Sequence, residues 1–172
     1  MKGQKVHCYQ LVVILSVLAF GLLSSTFLQA EEDACHYCGM KKAMFAHSWV
    51  NIEREDGSTV GVCSVHCAAV DMALNIDKPA KDITVADYVS KKQIDAGKAY
   101  WVIGGNKMGV MTARAKWAFE TKQGADDFMK ENGGRPATFG EVMKAAFEDM
   151  YEDTLMIQKK RKMMRMKKGA SS

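Results

Sequence analysis

The sequence lacks the residue patterns of the common catalytic classes. It contains no recognisable Ser/His/Asp set, no pair of carboxylates placed for acid–base chemistry and no phosphate-binding loop. Residues 104–109, GGNKMG, are too few and wrongly spaced for a dinucleotide-binding fingerprint. We therefore expect a binding protein and not an enzyme.

Charge is absent from residues 11–30, and this absence marks the start of the chain as an export segment. Lys2 and Lys5 precede the apolar run, and the segment LQA precedes two glutamates. This order is typical of a secretory signal peptide over residues 1–30, cleaved after Ala30. If it is not cleaved, the run is just long enough to span a bilayer as an anchor. We expect an exported protein, periplasmic or on the outer face of the cytoplasmic membrane.

Acidic residues are absent from Met156 to Ser172, a segment that holds seven basic residues. The rest of the mature chain is acidic, with 15 basic against 20 acidic residues. Such a tail contacts an anionic membrane surface, an acidic partner or the body of the protein itself, or is simply a solvated helix end. Nucleic acid is not an expected partner, because basic and aromatic residues are not interleaved elsewhere.

Four cysteines follow the signal peptide as two close pairs, Cys35-x-x-Cys38 and Cys63-x-x-x-Cys67. Two close pairs separated by 24 residues are typical of a four-thiolate zinc site, in which each pair supplies one edge of a tetrahedron. In an oxidising compartment the same residues also suit two disulfides. Spacing alone leaves open a softer metal or a redox role as well.

The hydrophobic pattern predicts a first strand-strand-helix unit. Strands over residues 46–55 and 59–63 form a hairpin, and a helix follows with Ser64 as its N-cap. Its apolar positions, which we expect on one side, are Val65, Ala69, Met72 and Leu74. Residues 75–98 are interpreted as a polar connector.

A second unit of the same kind follows. It has strands over residues 99–105 and 113–120 and a helix over residues 123–134 that ends at two glycines. From Thr138 the pattern is helical to the end, opened by a TFGE capping box. The predicted fold class is α+β: two small strand-strand-helix units of related topology, closed by a long C-terminal helix.

Met40, two residues after Cys38, is explained by neither zinc nor a disulfide. Copper(I) is a soft ion that prefers sulfur and accepts two or three ligands. A thioether is not lost to a disulfide and needs no deprotonation, which suits copper in an oxidising compartment. Met40 is therefore either a copper ligand or an ordinary core residue.

Three stretches together resemble the NosL family: CHYCGM at residues 35–40, YWVIGGNKMGVM at 100–111 and WAFETKQGADDFMKENGG at 117–134. Members of this family are accessory proteins that deliver copper(I) for assembly of nitrous oxide reductase, and their fold is similar to that of organomercurial lyase. The resemblance implies a metal-binding domain at residues 31–136. Residues 137–172 then form a C-terminal amphipathic helix with a basic, methionine-rich tail.

The resemblance also implies ligands and partners. Cys38 and Met40 match the family's Cys-Gly-Met motif, and Met111 matches the methionine of its Gly-Pro-Met turn, so all three are expected Cu(I) ligands. The expected partners are a recipient cuproenzyme, nitrous oxide reductase or a similar protein, and a membrane copper-delivery complex. The chain departs from the family at Val110, which replaces the proline, and at Cys35, which no lipobox precedes.

The remaining metal candidates are Cys35, Cys63, Cys67 and His66. They either complete a structural Zn(II) site or act as extra copper ligands, and His66 is otherwise a surface residue of its helix. His36 and His47 carry the same ambiguity. Three functions thus compete: an exported copper(I) metallochaperone, a structural zinc-binding interaction protein and a thiol-disulfide oxidoreductase, the last without its expected βαβ context.

Overall fold

Two antiparallel sheets form the framework of the protein, seen in a computed structural model that describes residues 34–170. The signal peptide predicted over residues 1–30 lies outside the described residues. None of the helices in the described part of the chain is long and apolar enough to cross a membrane.

The first sheet has the strand order β2-β1-β3-β4. Its bounds are β1 (Val50–Arg54), β2 (Thr59–Val62), β3 (Ala80–Ala86) and β4 (Gln93–Asp95), with the short helix α1 (Lys42–Phe45) before it and α2 (Val65–Leu74) between β2 and β3. Side chains of β1 alternate between buried and half-buried, as expected for a strand with one face on the core.

The second sheet has the order β6-β5-β7. Its bounds are β5 (Tyr100–Ile103), β6 (Lys116–Phe119) and β7 (Arg135–Ala137), with α3 (Lys122–Asn132) before β7 and α4 (Phe139–Ala170) after it. In both units a hairpin is followed by a helix and then by a strand that pairs with the first strand of the hairpin. The α+β prediction with two related units and a long C-terminal helix is confirmed.

The prediction of a polar connector over residues 75–98 is wrong, because this segment contains β3 and β4. The first half of β3 is exposed, and Lys81 pairs with Glu53 of β1 at 2.6 Å. Charged side chains on that half hide the alternation on which strand prediction depends. Strand β7 was not predicted either, since it is three residues long and contains Pro136, which only an edge position tolerates.

The two sheets meet beyond the end of β3. The amide of Tyr88 donates to the carbonyl of Ala118 in β6 at 2.8 Å. The ring of Tyr88 then packs against the aromatic rings of Trp117, Phe119 and Phe128, with centroids 5.0 to 5.7 Å apart. The two units therefore share one apolar core.

Helix α2 buries Val65 and Ala69, two of the four apolar positions expected on one side of it. Its first two turns are enclosed almost on all sides, and its buried residues are Val65, His66, Cys67, Ala68, Ala69 and Asp71. Met72 and Leu74 are exposed, because the last turn extends beyond the core. Ser64 occupies the N-cap position, but its side chain makes no capping hydrogen bond.

Local signals set the ends of the other two long helices. Gly133 follows α3 with a φ of 72°, and its amide donates to the carbonyl of Met129 at 2.8 Å, as the two glycines predict. The capping box before α4 is confirmed: Glu141 Oε2 accepts from the Thr138 amide at 2.7 Å, and Thr138 Oγ1 accepts from the Glu141 amide at 3.3 Å.

A buried carboxylate, Asp153, connects α4 to the rest of the fold. It accepts hydrogen bonds from the Nδ1 of His66 in α2, at 3.3 Å, and from the amide of Ala113, at 3.0 Å. Asp153 and His66 are both buried. The loop before β6 and the helix that carries Cys67 are thus held against α4 by one side chain.

Replacing Asp153 by alanine should lower the free energy of unfolding by about 2–4 kcal/mol, because two buried donors lose their acceptor. Asparagine keeps one acceptor oxygen and should cost roughly half as much. Denaturant unfolding measures both effects. The matched control is Glu152→Ala, an exposed neighbour on α4 that should stay within about 0.5 kcal/mol of the parent. Equal stability of Asp153→Ala and Glu152→Ala would contradict the anchoring role.

Candidate metal centre

Four cysteine sulfurs converge at one point of the fold. The Sγ atoms of Cys35, Cys38, Cys63 and Cys67 all lie within 4.8 Å of one another, and all four cysteines are free thiols. The Sγ of Cys63 lies 3.4 Å from that of Cys38 and 3.7 Å from that of Cys67. Cys38 is half-buried, whereas the other three cysteines are buried. We call these four residues the cysteine cluster.

The first cysteine pair lies in a tight loop. The amide of Cys35 donates to the carbonyl of Met40 at 2.8 Å, and the amide of Gly39 donates back to the carbonyl of Cys35 at 2.8 Å. Gly39 has a φ of 73°, which a residue with a side chain adopts at a cost. The glycine of the Cys-Gly-Met sequence is therefore what lets the chain reverse immediately after Cys38.

A buried ionic network fixes this loop to α2. The hydroxyl of Tyr37, between the two cysteines, donates to Asp71 Oδ1 at 2.5 Å. Arg54 of β1 donates from Nη2 to both oxygens of the same carboxylate, at 2.7 and 2.6 Å. Burial, followed by the hydrogen bond to Asp71, raises the pKa of Tyr37 to about 12, so its hydroxyl remains a donor. Because Asp71 and Cys67 both belong to α2, the network sets the first pair against the second.

The second pair comes from the junction of β2 and α2. Cys63 directly follows β2, and Cys67 lies in the first turn of the helix. The hydroxyl of Ser48 donates to the carbonyl of Cys63 at 2.8 Å and holds the junction in place. The three residues between Cys63 and Cys67 thus connect the end of β2 to the first turn of α2.

Protons are shared unequally within the cluster. Hydrogen bonds from the other three cysteines, Cys38 first, lower the pKa of Cys35. For Cys38, the contact with Cys35 raises the pKa, but Cys63 and Cys67 lower it, and the pKa falls to about 7. The pKa values of Cys63 and Cys67 are raised, chiefly by Cys35 and Cys38. The metal-free cluster is therefore partly ionised near neutral pH, and a metal ion that binds all four sulfurs must displace the remaining protons.

His66, a predicted ligand candidate, is not part of the cluster. It is buried, and its Nδ1 contacts Asp153. The interpretation of His66 as a surface residue is also wrong. The side chain connects two helices, a role that depends on a residue 87 positions away in the sequence.

Met40 and Met111 line a pocket of about 320 Å³. We call it the methionine pocket, because its other lining residues include Met108, Met156 and Met164. Met40 is two residues from Cys38, so the pocket adjoins the cysteine cluster. The structure thus places both expected thioether ligands in one pocket, beside the four thiols.

Met111 has a φ of 60°, in the left-handed region that residues other than glycine rarely adopt. Such a conformation costs on the order of 1–3 kcal/mol and is typical of functional sites. A Cβ on Gly109 would lie only 2.6 Å from the side chain of Thr112, so this position accepts only glycine.

His47 also lines the methionine pocket, in the turn before β1 and not on the strand where the sequence placed it. Burial, and then the charge of Lys91, lower its pKa, which leaves the imidazole neutral and able to act as a ligand at pH 7.

Met156 and Met164 were not predicted as site residues. Their separation of eight residues, with Lys160 midway, places all three on one face of α4 and was visible in the sequence.

Comparisons with known proteins show the family and the fold of the chain. The NosL family model matches residues 28–147. The crystal structure of the copper chaperone NosL from Shewanella denitrificans is similar in fold, with a TM-score of 0.54 and 21% sequence identity over 67% of this chain and 92% of that chain. The solution structure of the apo-NosL protein from Achromobacter cycloclastes gives a TM-score of 0.38 and 23% identity over 53% and 82% of the two chains. No curated protein sequence matches the chain.

Proposed function

The chain belongs to the NosL family, and we propose that it is an exported copper(I)-binding metallochaperone that supplies the ion to a cuproenzyme. The observation that carries the proposal is a donor set made of sulfur: four thiols within 4.8 Å of one another beside a pocket lined by thioethers. Copper(I) is the soft ion that such donors select. The protein is a binding protein and not an enzyme, as its family membership indicates.

Cys38 is the residue we propose as the dominant ligand. It is the least buried of the four cysteines, and its pKa, lowered to about 7, leaves about half of it as thiolate at pH 7. The least buried thiolate is also the group that a partner's ligand reaches first, so it suits an ion that must be passed on. Met40, two residues away, then adds a neutral sulfur from the adjoining pocket.

We propose nitrous oxide reductase as the recipient and a membrane copper-delivery complex as the donor. The support is the resemblance of the Cys38-Gly39-Met40 motif and of the turn at Met111 to the family pattern. Export rests on the signal peptide predicted over residues 1–30. The basic end of α4 remains our candidate for contact with an anionic membrane surface.

A structural Zn(II) site is the second candidate function for the cysteine cluster. Four sulfurs at about 2.3 Å from a central zinc ion lie about 3.8 Å from one another. The Sγ separations of 3.4 and 3.7 Å from Cys63 are close to that value. In this alternative the four cysteines contribute equally, and the methionines only pack.

Substituting Cys38 by serine tests the proposal. We expect the Cu(I) affinity, measured by competition with a chromophoric Cu(I) chelator, to fall at least about a hundredfold, or about 2.7 kcal/mol, because the accessible thiolate is lost. Cys67→Ser, which removes a buried thiol of raised pKa, should cost less. Equal losses in the two variants would show that the cysteines contribute equally and that Cys38 is not dominant, and unchanged affinity in Cys38→Ser would move the copper site to the other cysteines.

Met40→Leu and Met111→Leu test whether these residues are ligands or core. Leucine keeps roughly the volume and apolarity, and such swaps usually cost less than about 1.5 kcal/mol of stability. As ligands, each should lower Cu(I) affinity by about tenfold in a folded protein, with a non-additive double variant because both share one ion. Met44→Leu is the control, since Met44 is 69% exposed and does not line the pocket. Affinities equal to that of Met44→Leu would assign both residues to packing.

A further inference from the structure

Two of the five methionines that line the methionine pocket belong to α4, and both lie beyond the region that the family model matches. That match ends at residue 147, whereas Met156 and Met164 line the pocket from the last third of the chain. From their charge, residues 156–172 were expected to contact a membrane, a partner or the body of the protein, or to form a solvated helix end. The structure instead places the first half of this segment over Met40 and Met111.

Packing alone explains little of Met108 and Met164. Met108 is 71% exposed and Met164 is 61% exposed, whereas Met143, on the same helix as Met164, is buried in the core and Met156 is half-buried. A methionine that only packs gains stability in proportion to the apolar area it removes from water. Exposure by itself does not mark a site, since Met166, outside the pocket, is 65% exposed, and what singles out this pocket is that five thioethers line it.

The helix presents particular methionines to the pocket. Met156 and Met164 line it, whereas Met163 and Met166 do not. Between the first two, Lys160 donates from Nζ to the Sδ of Met108 at 3.6 Å, which joins α4 to the turn that carries Met111. The thioethers of the helix and of the turn therefore border the same space.

The charges of the residues that line the pocket determine how strongly it can bind copper(I). The pocket contains Lys160 and Arg161, and its thioethers are neutral, so a bound cation has no anionic ligand there. The cysteine cluster provides that charge, because thiols that bind a metal ion do so as thiolates. Arg161 lies between the two sites, since its Nη2 donates to the carbonyl of Cys38 at 3.4 Å. Copper(I) should thus bind the pocket more weakly than the cluster.

We propose that Met156 and Met164 of α4, together with Met108, form a second and weaker Cu(I) site at the mouth of the methionine pocket, through which the ion passes to and from the cysteine cluster. This inference rests on the proposed function. A volume of about 320 Å³ exceeds what one ion needs, so the thioethers must move inward on binding. Methionine has three rotatable bonds and permits such movement.

The test uses the reduced full-length chain with its methionines replaced by selenomethionine. Competitive Cu(I) titration counts the bound ions, and X-ray absorption at the copper edge detects copper–selenium neighbours, which report thioether ligation directly. The pocket variant is the double substitution Met156→Leu and Met164→Leu. The control is Met163→Leu with Met166→Leu, on the same helix, with the same chemistry and outside the pocket.

We expect two classes of Cu(I) in the parent protein. Met40 and Met111 give the tight class some copper–selenium scattering, and filling the weaker class should add further copper–selenium scattering. The pocket variant should lower the affinity of that class at least about tenfold, while the control leaves it unchanged and the tight class persists in both. A pocket variant equal to the control, or a parent that binds only the tight class, overturns the inference but not the proposed function. If the protein binds Cu(I) only in the weaker class and not in the tight class, the proposed function is contradicted while this second site is retained.

Discussion

Keeping four cysteine sulfurs within 4.8 Å of one another is the constraint on which the rest of the structure depends. Four thiolates that close repel one another strongly, so the metal-free cluster retains protons on Cys63 and Cys67, whose pKa values are raised. The fold provides what is needed to hold this arrangement. Gly39 allows the chain to reverse, and the carboxylate of Asp71 binds the loop of the first pair to the helix of the second.

The long C-terminal helix joins the two chemical environments of the site. Asp153 holds it against His66, next to Cys67, and against the loop that leads into β6. Further along, Arg161 contacts the carbonyl of Cys38, while Met156 and Met164 border the thioether pocket. Anionic and neutral sulfur donors thereby lie side by side, which is an arrangement that can bind a soft ion tightly and still release it.

The structural features that depend on residues close together in the sequence could be predicted from it. The hairpins, the capping box at Thr138 and the glycine cap at Gly133 depend on residues a few positions apart, and the spacing of the four cysteines indicated their convergence. Strand β3 was missed because its exposed charged half conceals the alternation, and its place is set by pairing with β1. The hydrogen bond between His66 and Asp153 depends on tertiary packing between residues far apart in the sequence. The same is true of the contact of α4 with the pocket that Met40 lines. For the same reason Met156 and Met164 were separated from the site to which they belong.

Which ion occupies the cysteine cluster is the central question, and one measurement answers it. The reduced full-length chain is exposed to equal amounts of Zn²⁺ and Cu(I), freed of unbound metal, and studied by X-ray absorption at both metal edges. Our account predicts copper in the protein, with two or three sulfur neighbours and no other ligand type. Retention of zinc with four sulfur neighbours at about 2.3 Å, and no bound copper, would contradict it.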